Sequence, residues 1–428
     1  MFFQMVTRMI LKSRWSVVSA CAQRRVLGAV AGACLLLSAC GGGGGSAAPG
    51  SPVADSPPVI APPAQAASLN IVAIGKLIFR DTSLSASGRL ACASCHDPDN
   101  AHAQSNDLAA QLGGADLTSQ GSRAAPSLRY MNLTPRFSIA ADGTPSGGFN
   151  RDGRAPTLAE QAQRPLLAAH EMANADPAAV IARLRGAAYA EQFRALFGAA
   201  IFDDPGAAFE RVQLALQQYQ KDDPAFHPFD SKYDQFIAGK ASLNEGELRG
   251  LALFNNPAKG NCAACHPSAK AADGSPPLFT DFSFDNLGVP RNPALLANRD
   301  PAYYDLGLCG PDRTDLVQRR DLCGAFKVPT LRNVATRKVF FHNGRFSNLR
   351  DVVAFYVRRD TNPEEWYPRS ADGTILKFDD LPAELRRNVN SAEGPYNRLP
   401  GQAPALSSAE IDDVVRFLGT LSDGYRAP

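Results

Sequence analysis

Cys92-Ala93-Ser94-Cys95-His96 and Cys262-Ala263-Ala264-Cys265-His266 constrain this chain more than any other stretch. Each is a C-x-x-C-H run, the attachment signature of a c-type haem. The spacing follows from the chemistry. Two thiols bond to the two vinyl groups of one porphyrin, and the adjacent histidine places an imidazole on the iron. One copy would leave a zinc knuckle or a redox C-x-x-C pair open. Two copies, each with its histidine and both behind an export signal, favour two covalently bound c-type haems. Cys92, Cys95, Cys262 and Cys265 are then the attachment thiols, and His96 and His266 the proximal ligands.

The export signal is read from residues 1–39. Arg8, Lys12, Arg14, Arg24 and Arg25 precede or open an apolar run from Val26 to Leu37, with no acid among them. Leu37-Ser38-Ala39-Cys40 has the form of a bacterial lipobox, so Cys40 is the expected lipidation site. The alternative is an ordinary cleaved signal and a soluble product. Residues 40–68, rich in Gly, Pro, Ala and Ser, read as a flexible tether. The expected location is the periplasm, held to the outer membrane by lipid only. The chain has a formal net charge of +2, and removing the five leader cations leaves the rest at −3. No basic face for nucleic acid is indicated. Beyond the leader, Cys40 and the haem thiols, Cys309 and Cys323 remain. In an oxidising compartment they can pair; the alternative is two free buried thiols.

The body reads as mostly α, with two cytochrome c-like haem domains, long loops and little β structure. Ile71 to Phe79 predicts a short helix before the first haem motif. Gly75-Lys76-Leu77-Ile78-Phe79 is echoed by Gly250-Leu251-Ala252-Leu253-Phe254 before the second. Phe209, Val212, Leu216 and Tyr219 form a helical stripe. Ser242 with Glu245, and Ser407 with Glu410, form capping-box patterns. The second leads an amphipathic helix through Ile411, Val414, Val415, Leu418 and Leu421. Gly- and Pro-rich stretches over 97–150 and 267–330 predict loops wrapped around cofactor. Asp222-Asp223-Pro224 breaks the pattern and sets the expected boundary between domains at 69–225 and 226–428.

Four local motifs resemble the bacterial di-haem cytochrome c peroxidases and their MauG-type relatives. They are Leu84-Ser85 through His96-Asp97-Pro98; Asp152-Gly153-Arg154 with Leu158, Glu160-Gln161-Ala162, Pro165 and Glu171-Met172; Gly250 through His266; and Phe326 to Val334 with Phe341-His342-Asn343-Gly344-Arg345. The resemblance implies an N-terminal haem that meets hydrogen peroxide on an open face and a C-terminal, six-coordinate haem that relays electrons. It implies Gln161 and Glu171 as distal-pocket catalytic residues and Pro165 as a residue shaping that pocket. From spacing alone, Gln161 and Glu171 would more often be polar surface positions.

The second haem's sixth ligand is narrowed by composition. Only Met131 and Met172 follow the leader, both in the first domain, so methionine from the second domain is ruled out. The family's axial position, counted on from His342, falls on Tyr356. Leu349, Val352, Val353 and Tyr356 share one helical face, so Tyr356 as a plain core aromatic is the alternative. Tyrosine ligation places the chain with the MauG-like branch. His102, Arg332 and His342 are expected in the haem surroundings.

Three departures from the family stand out. The inter-haem tryptophan of a Trp-Asp-Gly-Arg run is here Arg151. The loop from Gln111 to Arg123 has no histidine to block the first iron, leaving His102 as the nearest substitute and an open site as the expectation. The calcium asparagine of an Arg-Asn-x-Pro run is here Ala124; carbonyls and water leave calcium open but not expected.

The resemblance implies an oxidoreductase of cytochrome-c peroxidase type. It would reduce peroxide to water through a high-valent iron intermediate, with electrons from a small redox protein such as cytochrome c or a cupredoxin. One alternative is MauG-like, peroxide-dependent oxidation of a partner protein. The other is a di-haem electron carrier without catalysis.

Overall fold

The computed structural model describes residues 70–427. The leader, Cys40 and the tether to residue 68 lie outside the described residues. Helices carry the fold, and most open on a side-chain cap. Helix α1 (Ile71–Arg80) starts at Asn70, whose side chain accepts from the Ala73 N–H at 2.7 Å. The single turn α2 (Cys92–Cys95) carries the first thiol pair. Helix α3 (Leu158–Leu167) is capped by Thr157. Helices α4 (Pro177–Leu184) and α5 (Ala190–Phe197) follow. Helix α6 (Pro205–Asp222) has Asp204 as cap and Pro205 in its first turn, where a missing N–H costs nothing. It stops at Asp223-Pro224, where the sequence predicts a break.

Helix α7 (Lys232–Ile237) and helix α8 (Glu245–Asn255) open the second half. The cap of α8 differs from the sequence expectation. Asn244, not Ser242, is the cap, and Glu247, not Glu245, returns a carboxylate to the Asn244 N–H at 2.7 Å. Asn is as good a cap as Ser, and an acid three residues on completes the reciprocal box two positions later than expected. Helix α9 (Leu349–Arg358) starts at Asn348, and helix α10 (Ser408–Gly419) carries the expected Ser407–Glu410 box.

Strand structure among the described residues is confined to three antiparallel pairs. Strands β1 (Leu112–Gly113) and β2 (Ser119–Gln120) pair Leu112 with Gln120; β3 (Ser138–Ile139) and β4 (Pro145–Ser146) pair Ser138 with Ser146; β5 (Phe284–Asp285) and β6 (Phe326–Lys327) pair Phe284 with Lys327. The rest of 97–150 and 267–330 is loop and short 3₁₀ turns. In the second loop Cys309 and Cys323 are joined as a disulfide, with Leu385 packed against them.

Apolar side chains gather into two main cores. One contains Ile74, Ile78, Phe79, Phe193, Phe209, Val212, Leu216, Tyr219 and Phe226; the other contains Tyr233, Phe254, Phe279, Val352, Val353, Ile411, Val414, Phe417 and Leu421. Each core has the same crossing at its centre. A Cβ added to Gly75 of α1 would lie 2.0 Å from the Ala215 carbonyl oxygen of α6; one added to Gly250 of α8 would lie 2.0 Å from that of Asp413 in α10. Bare backbone lets the helices touch. Phe79 then meets Tyr219 edge-on at 5.5 Å, and Phe254 meets Phe417 at 5.1 Å. The glycine–phenylalanine echo in the sequence is therefore one helix-pair design used twice, each time just ahead of a C-x-x-C-H run.

Candidate haem sites

Each C-x-x-C-H run lines its own cavity. The first, of about 190 Å³, has Cys92, Cys95 and His96 in its wall with Gln161, Pro165, Glu171 and Met172. The second, of about 260 Å³, has Cys262, Cys265 and His266 with Tyr356, Tyr396, His342 and Arg332. Both histidines are held the same way. His96 Nδ1 lies 3.0 Å from the Pro126 carbonyl and 3.3 Å from that of His102; His266 Nδ1 lies 2.8 Å from the Phe279 carbonyl. A carbonyl only accepts, so Nδ1 carries the proton and Nε2 keeps its lone pair for a metal. Burial pushes His96 down to about 4 and His266 in the same direction, so both rings are neutral.

The four thiols are free of disulfide, and burial pushes Cys92, Cys262 and Cys265 up to about 12 and Cys95 to about 11. A redox C-x-x-C pair needs a lowered thiol pKa, which is the opposite. Among the described residues no three His, Cys, Asp or Glu side chains converge as a zinc knuckle would require. Two paired thiols, a neutral imidazole with a free Nε2 and a largely apolar cavity fit a c-type haem in each half.

Helix α3 and the turn after it bring Gln161, Pro165 and Glu171 to the first cavity. Gln161 Nε2 donates to Asn150 Oδ1 at 3.3 Å. Pro165 lies inside α3 and has no N–H to return to the Gln161 carbonyl four residues earlier. Its own carbonyl accepts from the Met172 N–H at 3.0 Å, which folds the chain back and sets Glu171 at the cavity. The Glu171 side chain is 45% exposed. Surrounding protein still desolvates its carboxyl and pushes the pKa up; His170 and Arg154 pull the other way.

His102 does not line this cavity. Its ring stacks on Phe226 at 3.9 Å and meets Phe79 edge-on, with both ring nitrogens buried and unpartnered. It serves the site through its carbonyl, beside His96. The substitute-blocker role considered from sequence has no support in this placement, because the ring is packed into the core beneath the histidine.

In the second cavity, α9 presents Tyr356 against Phe341 at 5.8 Å and Tyr396 at 6.1 Å. Burial pushes its phenol far up, Asp285 adds to this and Arg359 pulls back. A phenolate there needs a cation beside it, as an iron would be. His342 stacks on Phe326 at 3.7 Å, and its Nε2 lies 3.7 Å from Asp380 Oδ2. Arg332 reaches the cavity wall, but Asp234 holds its guanidinium through two bonds of 2.8 Å.

Tyr396, Asp285, Lys327 and Arg337 also line the second cavity, and Arg151 lines both. Sequence reasoning gave none of them a site role. They stand on loops and short strands where no periodicity marks an inward residue. The one available signal was that Arg151 and Lys327 flank or fall within recognised motifs.

Comparison with known proteins agrees with this geometry. The family model described as di-haem cytochrome c peroxidase matches residues 70–242. The methylamine utilization protein MauG of Paracoccus denitrificans (strain Pd 1222) is 36% identical over 372 residues, covering 84% of this chain and 90% of that one. The cytochrome c551 peroxidase of Nitrosomonas europaea is 29% identical over 302 residues, covering 68% of this chain and 74% of that one. The crystal structure of the diheme peroxidase BthA from Burkholderia thailandensis E264 superposes with a TM-score of 0.76 at 41% identity, over 83% of this chain and 86% of that one. The chain belongs to the di-haem cytochrome c peroxidase and MauG family, oxidoreductases that carry c-type haem.

Proposed function

We propose that this chain is a periplasmic peroxidase. It reduces hydrogen peroxide to water with electrons from a small redox protein, either a cytochrome c or a cupredoxin. Residues 69–225 would handle peroxide, and 226–428 would take in and store electrons. The observation that carries the reading is the convergence of Gln161 and Glu171 on the cavity that also holds Cys92, Cys95 and His96. A pure electron carrier has no use for a carboxyl and an amide brought together at that wall.

Cys92 with Cys95, and Cys262 with Cys265, would each hold one haem by thioether bonds, with His96, His266 and Tyr356 on the irons. The haems supply redox-active iron. The protein's own part is proton handling. Glu171, with its pKa pushed up, can take a proton from one peroxide oxygen and return it to the other, so that the O–O bond breaks with water as the leaving species. Gln161, tethered to Asn150, can hydrogen-bond and orient the substrate. Pro165 keeps the turn that sets Glu171 in place.

Calcium has no part in this reading. Ala124 lacks a side-chain oxygen, and its carbonyl already accepts two bonds from Arg151 at 2.9 and 3.0 Å. Attachment to the outer membrane through lipid on Cys40 belongs to the same reading; among the described residues no helix is long and apolar enough to cross a membrane. The second reading is MauG-like oxidation of a partner protein. Tyr356 at the second cavity favours it, and its product would be a covalently altered protein rather than an oxidised carrier.

Replacing Glu171 by Gln tests the main reading. Loss of a proton relay costs about 10²–10⁴-fold in rate. Glu171→Gln protein with both haems attached is expected to lose peroxide turnover by at least the lower figure. Unchanged turnover with a reduced small carrier would overturn the assignment.

A further inference from the structure

The cations around the two cavities fall into two classes. Arg123, Arg154 and Arg332 are neutralised: Arg123 by Asp152 and Asp305, Arg154 by Asp152 and Asp312, and Arg332 by Asp234. Arg151, Lys327 and Arg337 make no ion pair among the described residues. Their donors go only to main-chain carbonyls: Arg151 to Ala124, Arg337 to Ala125 and Val339, and Lys327 to Gly148. The acids that act on them, Asp305 on Arg151 and Asp152 on Lys327, are already bound by Arg123. The three are one cluster. Arg151 and Arg337 sit on consecutive carbonyls, and the Lys327 N–H donates to the Arg151 carbonyl at 2.8 Å.

Three like charges buried together without a counter-ion are costly, and each is driven toward its neutral form. Burial pulls Arg151 down to about 9, Lys327 to about 8 and Arg337 to about 10. An arrangement of this kind is made to meet an anion. The cavity indicates which one. Of the four acids in its wall, Asp305 is bound by Arg123 and Asp380 by Arg291, which leaves Asp285 and Glu393, and these act on Cys265, at the thiol end. A porphyrin bonded through its vinyl edge to the thiols must direct its opposite edge, which bears two carboxylates, elsewhere in the same cavity. Carboxylates are repelled from the acidic end and attracted to unpaired cations.

We propose that Arg151, Lys327 and Arg337 form a cationic seat for the haem propionates, with Lys327 and Arg337 serving the second haem and Arg151, which lines both cavities, shared between the two. The seat rests on the reading that each cavity holds a haem. It gives the arginine at the inter-haem position an electrostatic task in place of electron relay. A cation beside a haem favours the reduced state, which carries one negative charge more. The seat therefore raises both potentials and couples them through Arg151.

The test is optical redox titration of Arg151→Met, Lys327→Met and Arg337→Met proteins against the parent, each first checked by mass for two attached haems. A protein lacking haem would speak against the haem-site reading; a loaded protein tests the seat. The midpoint potential of the second haem is expected to fall in all three, and that of the first in Arg151→Met. Unchanged potentials in loaded Arg151→Met and Arg337→Met proteins would overturn the proposal. Should the Met variants fail to fold, Arg151→Lys and Arg337→Lys keep the charge and alter the hydrogen bonds. Their resonance Raman propionate-bending bands are expected to shift while the potentials stay near the parent's, and unshifted bands would equally overturn it.

Discussion

Asp234 and Arg332 show how one ion pair can support a cofactor wall. The pair is bidentate and nearly sealed, with side chains 6% and 1% exposed. Arg332 also donates through Nε to the Pro277 carbonyl at 2.9 Å and lies over the rings of Tyr130 and Phe229 at 4.8 and 4.6 Å. Removing one partner of such a pair strands the other charge, at a cost of about 3–5 kcal/mol. Asp234→Asn is expected to lose about that much in chemical unfolding of the haem-loaded protein. The pH dependence has a definite sign. Burial pushes the Asp234 carboxyl up, but the hydrogen bonds and charge of Arg332 and the donors of Ser231 outweigh it, so the net shift is downward. The pair's stabilisation is complete above the ordinary carboxylate pKa of about 3.9 and is lost as pH falls through the lower folded value. Parent and variant unfolding curves should therefore converge below about pH 4. Curves that stay parallel into acid would remove Asp234 as the cause. Arg332 was legible in the sequence as part of the haem surroundings. Asp234 was not, because its partner lies 98 positions away and no local pattern links them.

At the scale of elements, the two haem approaches depend on a glycine each. Alanine is the better helix former by about 1 kcal/mol, so propensity alone favours Gly75→Ala and Gly250→Ala. Packing opposes it: the new methyl would lie 2.0 Å from a main-chain carbonyl oxygen of α6 or α10, which cannot rotate away. Forcing helices apart in a filled core costs about 1–3 kcal/mol, and more where backbone must move. Each substitution is expected to lower the thermal midpoint, and Gly250→Ala should also perturb the second haem's absorption spectrum. A midpoint at or above the parent's would mean that the crossings are looser than they stand here. The helices, the stripe on α6 and the Gly-to-Phe echo could be read from the chain. The crossings could not, since a helical pattern marks the buried face but not what covers it. The displaced cap of α8 has a similar origin: Ser242, Asn244, Glu245 and Glu247 offer two overlapping boxes, and the choice depends on where the preceding loop ends.

Across the whole molecule, the two cores are bound by charge as well as contact. Ile74 to Phe226 and Tyr233 to Leu421 supply separate apolar clusters within one compact unit. Asp423, beside the last helix, accepts from Tyr130 and Arg129 of the first half and from Asn333 of the second. Arg123 reaches 182 positions forward to hold Asp305 with two bonds of 2.6 and 2.7 Å, while its third donor holds Asp152 at 2.7 Å. The sequence showed Arg123 only as the start of a run that had lost its calcium asparagine, and tertiary structure alone brings the acids to it. Arg123→Met would leave Asp305, whose side chain is 8% exposed, without a counter-ion, whereas Asp152 would retain Arg154. The stranded charge should cost about 3–5 kcal/mol and split a single calorimetric transition into two as the halves lose their tie. Adding Asp305→Asn removes that charge, so the double variant should be more stable than Arg123→Met alone, a coupling that a double-mutant cycle isolates. If the second change instead adds its own full penalty, the coupling is absent. The halves would then be joined by apolar contact, with Arg123 serving only its own loop.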